Sequence, residues 1–102
     1  MSLSNIKNRE SVIRAIEECD CLGREAFLEK YGYGKAKRYY LVWQDKYYDS
    51  KAIIGVAHKY ECPNYGPLTS EEFSGGENTV QKKLEELGFR VQVKPPTKGK
   101  RE

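Results

Sequence analysis

The stretch from Arg38 to Tyr60, RYYLVWQDKYYDSKAIIGVAHKY, decides the fold. Residues 37–44, KRYYLVWQ, concentrate aromatic and β-branched side chains, the composition of a strand. Gln44-Asp45-Lys46 is a polar break of hairpin length, and Lys46-Tyr47-Tyr48 returns as a short partner strand. The pattern then changes period. In KAIIGVAHKY, residues 51–60, Ile53, Ile54, Ala57 and Tyr60 fall on one helical face, with Asp49 or Ser50 placed to cap it. A hairpin running straight into a helix points to an α+β domain.

On the N-terminal side, Ile6, Val12, Ile13 and Ile16 keep helical spacing across Asn5–Cys21. Gly23 stops that helix in the left-handed conformation, and a second helix covers Arg24–Tyr31 before YGYG ends it, making a helical hairpin. On the C-terminal side, Thr69 and Glu72 have capping-box spacing, so residues 70–73 are expected to form one helical turn. Residues 77–89 are the best-marked helix, with Val80, Leu84 and Leu87 in register, Gly88 at the C-cap and Phe89 placed for the contact that follows. Phe89, Val91 and Val93 then alternate as one face of a half-buried strand. KPPTKGKRE supplies no core residue. The expected organisation is therefore a small single α+β domain over residues 1–94, its N-terminal helical hairpin and further helices packed on a short antiparallel sheet, with 95–102 a basic disordered tail or linker.

With 102 residues, 38% hydrophobic and 32% charged, the chain has the composition of one very polar globular domain. No apolar run approaches a membrane span and the start lacks a signal-peptide core, so no membrane partner and a cytoplasmic location are expected. Three cysteines, an odd number, fit free thiols in a reducing compartment. The formal charge of +3 is uneven: residues 35–60 hold six Lys/Arg against two Asp/Glu, and residues 61–89 hold two against six. The basic block is interleaved with tyrosines and the single tryptophan, which suits a nucleic-acid surface and equally a solvated sheet face.

The search for catalytic patterns returns nothing. His58 is the lone histidine, no nucleophile or phosphate-loop motif occurs, and the glutamates are most simply helix-surface charges. Cys19, Cys21, His58 and Cys62 have the chemistry of a zinc set, but Cys-x-Cys is tight and Cys19 falls inside a helix. The expectation is no enzyme, no metal and no cofactor.

Two readings of FSGGENTV, residues 73–80, stay open. In one, Ser74, Gly75 and Gly76 present backbone N–H groups to a DNA phosphate at a helix N-terminus, with Asn78 and Thr79 beside them. In the other, the glycines let the loop turn closely so that Phe73 plugs the core. Lys51 in the first turn of its helix sits where the macrodipole disfavours a cation, which marks it as a candidate DNA contact. Lys46 at the hairpin tip and Tyr47 beside it complete the candidate set. Tyr47 and Tyr48 point to opposite faces, so one of them at most is core; Trp43 is assigned to the core.

Tyr48-x-x-Lys51-Ala52-Ile53, then Phe73-Ser74-Gly75-Gly76-x-x-Thr79-Val80, then Leu84-x-x-Leu87-Gly88-Phe89 form an ordered set of motifs. In this order and spacing the chain resembles the N-terminal head domain of McrA-like, modification-dependent HNH endonucleases. The family position held here by Asp49 is often proline, a change that restores a side-chain helix cap. The resemblance implies a non-catalytic module for restriction or phage defence. It would contact double-stranded DNA, including modified DNA, while a fused or partner nuclease domain does the cutting. The alternative is a protein-interaction or oligomerisation module of such a system.

Overall fold

The computed structural model describes residues 5–36, 39–71, 73 and 77–93. Helices α1 (Arg9–Leu22) and α2 (Arg24–Tyr31) come first, followed by strands β1 (Tyr39–Trp43) and β2 (Lys46–Asp49) and helix α3 (Ser50–Glu61). A π-helical turn, Glu77–Gln81, leads into α4 (Lys82–Glu86), and β3 (Arg90–Val93) closes the order. The antiparallel sheet runs β2-β1-β3. This is the α+β domain the sequence pattern requires, and α3 is its centre. Residues Ala52 to His58 are all buried, because AIIGVA is apolar on every side and α3 touches α1, α2, the π-turn, β1 and β2.

Several boundaries differ from expectation for identifiable reasons. Helix α1 begins at Arg9, although Ile6 ahead of it is fully buried. Its N-terminal donors are satisfied from another helix: Glu61 of α3 accepts from the Asn8 backbone N–H at 3.1 Å, the Asn8 side chain at 2.9 Å and the Ser11 hydroxyl at 3.0 Å. Burial alone would raise the Glu61 carboxyl, but these bonds outweigh it and hold it below its ordinary value. Glu61→Ala is expected to cost about 1 kcal/mol, as loss of an N-cap does. Hydrogen exchange should quicken first at the opening turn of α1; unchanged exchange there would remove Glu61 from this role.

Gly23 is not in the left-handed region. Its φ of 90° and ψ of 152° turn the corner between two helices instead. The left-handed glycine is Gly32, whose N–H bonds Glu29 O while the Tyr33 N–H bonds Leu28 O. Gly88 repeats that pattern one position beyond the C-cap Leu87, with its N–H on Glu85 O and the Phe89 N–H on Leu84 O. Both ends are Schellman motifs, and the following aromatics, Tyr33 and Phe89, are buried as the motif favours. Ser70 and Glu71 form a turn rather than a helix, and Glu72 lies outside the described residues. The expected tail lies outside them as well. Gln44 leaves the strand for the hairpin loop, and the helix expected over 77–89 opens with a π-turn and ends at Glu86.

A polar cluster ties the first three helices. The Glu18 carboxylate of α1 accepts from Tyr31 of α2, from Tyr60 of α3 at 2.6 Å, and from Lys30 and Lys59, each at 3.0 Å. Burial pushes the Glu18 carboxyl up, yet the hydrogen bonds from Tyr31, Tyr60, Lys59 and Lys30 prevail and bring it down to about 2.

Candidate nucleic-acid interface

Gln44 and Asp45 both have positive φ, 51° and 66°, the signature of a two-residue type I′ hairpin loop. That loop places Trp43 opposite Lys46, Val42 opposite Tyr47, Leu41 opposite Tyr48 and Tyr40 opposite Asp49. Lys46 therefore opens β2 instead of sitting at the tip. Because strand side chains alternate, the register sorts the aromatics. Leu41, Trp43, Tyr48 and Val91 share the core face. Trp43 packs against Phe89 at 5.3 Å between centroids, under the Arg9 guanidinium at 5.6 Å.

The outer face carries a row across all three strands, Tyr47–Val42–Arg90, beside a second row, Asp49–Tyr40–Gln92. Tyr47 is 37% exposed and meets Tyr40 edge-on at 6.4 Å. Arg90 is exposed, and Tyr40, Val42 and Gln92 are half-buried. The sequence reading missed Arg90, Tyr40 and Gln92 as a surface. The alternation that put Phe89 and Val91 inward also placed Arg90 and Gln92 outward, so the signal was present.

A cleft of about 360 Å³ separates the free edge of β2 from the α1–α2 corner. Lys46, Tyr47, Tyr48 and Asp49 line one side, and Cys19, Asp20, Gly23 and Arg24 the other. Here the cap expected of Asp49 fails. Its carboxylate accepts from Arg24 Nε at 2.7 Å and Nη2 at 2.8 Å, and from the Ala36 N–H at 2.6 Å. Ser50 is also turned away, its hydroxyl on Tyr39 O at 3.0 Å, so neither side chain caps α3. A buried carboxylate gains more from a bidentate guanidinium than from one exposed helix N–H. Tyr48 donates to Asp20 Oδ1 at 2.8 Å, and burial with that carboxylate pushes its phenol above the ordinary range. Burial, with Asp20 and Asp49 nearby, lifts the Cys19 thiol to about 11, so it stays protonated at neutral pH.

The remaining candidates lie beyond the other end of β2. Lys51 is in the first turn of α3, half-buried, its ammonium on Ser70 O at 2.7 Å and 5.1 Å from the Phe73 ring centre. Thr79 and Asn78 are in the π-turn, Thr79 half-buried; Ser74, Gly75 and Gly76 lie outside the described residues. Phe73 packs against the core with its ring 6.3 Å from Tyr33, as the structural reading of that loop requires. Lys46 and Tyr47, neighbours in β2, thus fall on opposite faces of the sheet, and Lys51 lies apart from them by the length of a strand.

His58 is fully buried, with Nδ1 2.8 Å from Gly66 O and Nε2 3.4 Å from the Asn5 amide nitrogen. Both ring nitrogens are engaged, which takes the histidine out of the zinc set considered above. Among the described residues no group of three or more His, Cys, Asp or Glu is placed to hold a metal, and no helix is long and apolar enough to cross a membrane.

The chain belongs to the family of ScoMcrA-like N-terminal head domains, which it matches over residues 4–93. Among solved structures it is similar to the Type IV phosphorothioation-dependent restriction endonuclease ScoMcrA, with a TM-score of 0.65 and 33% identity. The match covers 90% of this chain and 14% of that one. Among curated proteins, none matches.

Proposed function

We propose that this domain is a non-catalytic, DNA-facing module of modification-dependent restriction, which contacts double-stranded DNA through the outer face of its sheet and leaves cutting to a fused or partner nuclease domain. The observation that carries the proposal is the Tyr47–Val42–Arg90 row, an exposed ring and an exposed guanidinium on either side of a half-buried valine on one face of the sheet. Cations there neutralise phosphate, and aromatic faces accept unstacked bases. Family membership supports the restriction setting. A cytoplasmic location goes with it. Lys46 pairs with Trp43 and so lies on the other face of β2, and the Lys51 ammonium is already held by Ser70 O, so neither adds to this row.

The test is a titration with plain, methylated, hydroxymethylated and phosphorothioated duplexes at two salt concentrations. The last belongs in the series because the similar solved enzyme is phosphorothioation-dependent. Binding should be micromolar or weaker and fall steeply with salt. Arg90→Ala should lower the salt slope by about one unit, and Tyr47→Ala should weaken every duplex. Salt-independent binding, or no binding at low salt beside a captured protein partner, would replace this reading with the protein-interaction module.

A further inference from the structure

We propose that the cleft between the α1–α2 corner and the free edge of β2 binds a single unstacked nucleobase bearing an exocyclic amine: cytosine, adenine or guanine rather than thymine. This deepens, and rests on, the DNA-facing function proposed above. At about 360 Å³ the cleft lies in the range of small-molecule sites, with room for a heterocycle and part of its sugar. Its formal charges balance. Asp49 is neutralised by Arg24 in a bidentate pair, and the lining holds one further acid, Asp20, and one further base, Lys46. A formally neutral site favours a neutral heterocycle over a free cation or a phosphate alone.

Three groups give that heterocycle its orientation. The exposed Tyr47 ring offers a stacking wall. Asp20 Oδ1 is occupied by the Tyr48 hydroxyl, and among the described residues nothing bonds Oδ2. An aspartate with a spare oxygen accepts from cytosine N4, adenine N6 or guanine N2, whereas thymine has no exocyclic amine and offers only its ring N3–H. The hairpin register supplies the third. The two-residue loop makes Trp43–Lys46 a hydrogen-bonded pair, so the Tyr47 peptide N–H and C=O point away from β1 toward the cleft. An adjacent donor and acceptor on a strand edge match the edge of a base. Lys46 at the mouth is placed for the phosphate that follows the sugar. The Cys19 thiol stays protonated, and no bond is made or broken in this step.

The experiment titrates the full chain with dCMP, dAMP and dTMP, followed by amide shifts in two-dimensional NMR. The expected result is perturbation at Asp20, Gly23, Arg24 and Tyr47, with dTMP bound about tenfold more weakly than dCMP. Asp20→Asn keeps an acceptor for Tyr48 and should erase that preference. Tyr47→Ala should weaken all three nucleotides, and Tyr47→Phe, which keeps the ring, should bind them more tightly than Tyr47→Ala does. Equal binding of the three nucleotides, or shifts confined to other residues, overturns the proposal. Duplex binding without any mononucleotide binding overturns it too and leaves the sheet-face reading standing. Mononucleotide discrimination without duplex binding sustains the cleft and removes that reading.

Discussion

Gly55→Ala is expected to lower the melting temperature by more than about 10 °C. A Cβ at Gly55 would lie 1.9 Å from the Tyr33 hydroxyl oxygen, 2.8 Å from Tyr33 Cζ and 3.2 Å from Phe73 Cζ. The hydroxyl cannot retreat freely, because it donates to Leu68 O at 2.6 Å, while the Leu68 N–H bonds Gly55 O at 3.0 Å. Overpacking costs about 1–3 kcal/mol, and a buried carbonyl left without its donor about as much again. Better helix propensity returns only about 1 kcal/mol. A net loss near 3 kcal/mol at about 4–8 °C per kcal/mol gives the stated drop. Tyr33→Phe removes the clashing oxygen, so the double variant should lose less than the sum of the singles. A Gly55→Ala protein melting at or above the parent would show that Tyr33 and Phe73 move aside at no cost.

Acid should unfold the protein through Glu18. The folded carboxyl titrates at about 2 against an ordinary 4.5, so the folded state binds that proton less tightly than the unfolded chain. The stabilisation is complete above about pH 5 and is lost as pH falls from 4.5 through 2. A shift of this size corresponds to about 3 kcal/mol. Glu18 is only 12% exposed, so solvent screening removes little of it. Glu18→Gln should therefore destabilise at pH 7 and flatten the pH dependence between 4.5 and 2. Denaturant midpoints for both proteins across that range are the measurement. Parallel curves would mean that another carboxylate controls acid unfolding. Glu18→Ala should be worse than Gln at neutral pH, since Tyr31 and Tyr60 then lose their acceptor and the half-buried Lys59 keeps only the Tyr31 hydroxyl.

The change of period at Asp49, from aromatic strands to the apolar run of α3, was legible because each element's own side chains carry it. So were α2 to the residue, the Tyr47/Tyr48 split across the sheet, and the Leu84–Gly88–Phe89 helix end. Each depends on local geometry: the two-residue period of a strand, the 3.6-residue period of a helix, and the positive φ that favours glycine. The same chain order carried the head-domain resemblance that the family match then established.

What the sequence could not determine was where polar side chains spend their hydrogen bonds. Asp49 reads as a helix cap from its neighbours, yet Arg24, twenty-five residues earlier, and the Ala36 N–H take its carboxylate. Glu61 ends one helix and satisfies the start of another, fifty residues away. Lys51 reads as a surface cation, and only the return of the Ser70 loop gives its ammonium a partner. Gly55 looks like a weak point within α3 until Tyr33 arrives against it from the end of α2. Likewise the outer row of Tyr47, Val42 and Arg90 exists only once β3 pairs with β1, and the cleft only once the α1–α2 corner meets the edge of β2. Local propensity chooses elements from neighbours in the chain, so the sequence alone determined the strands, the helices and the inward faces. Partners separated by tens of residues are chosen by packing, and that choice placed both candidate surfaces.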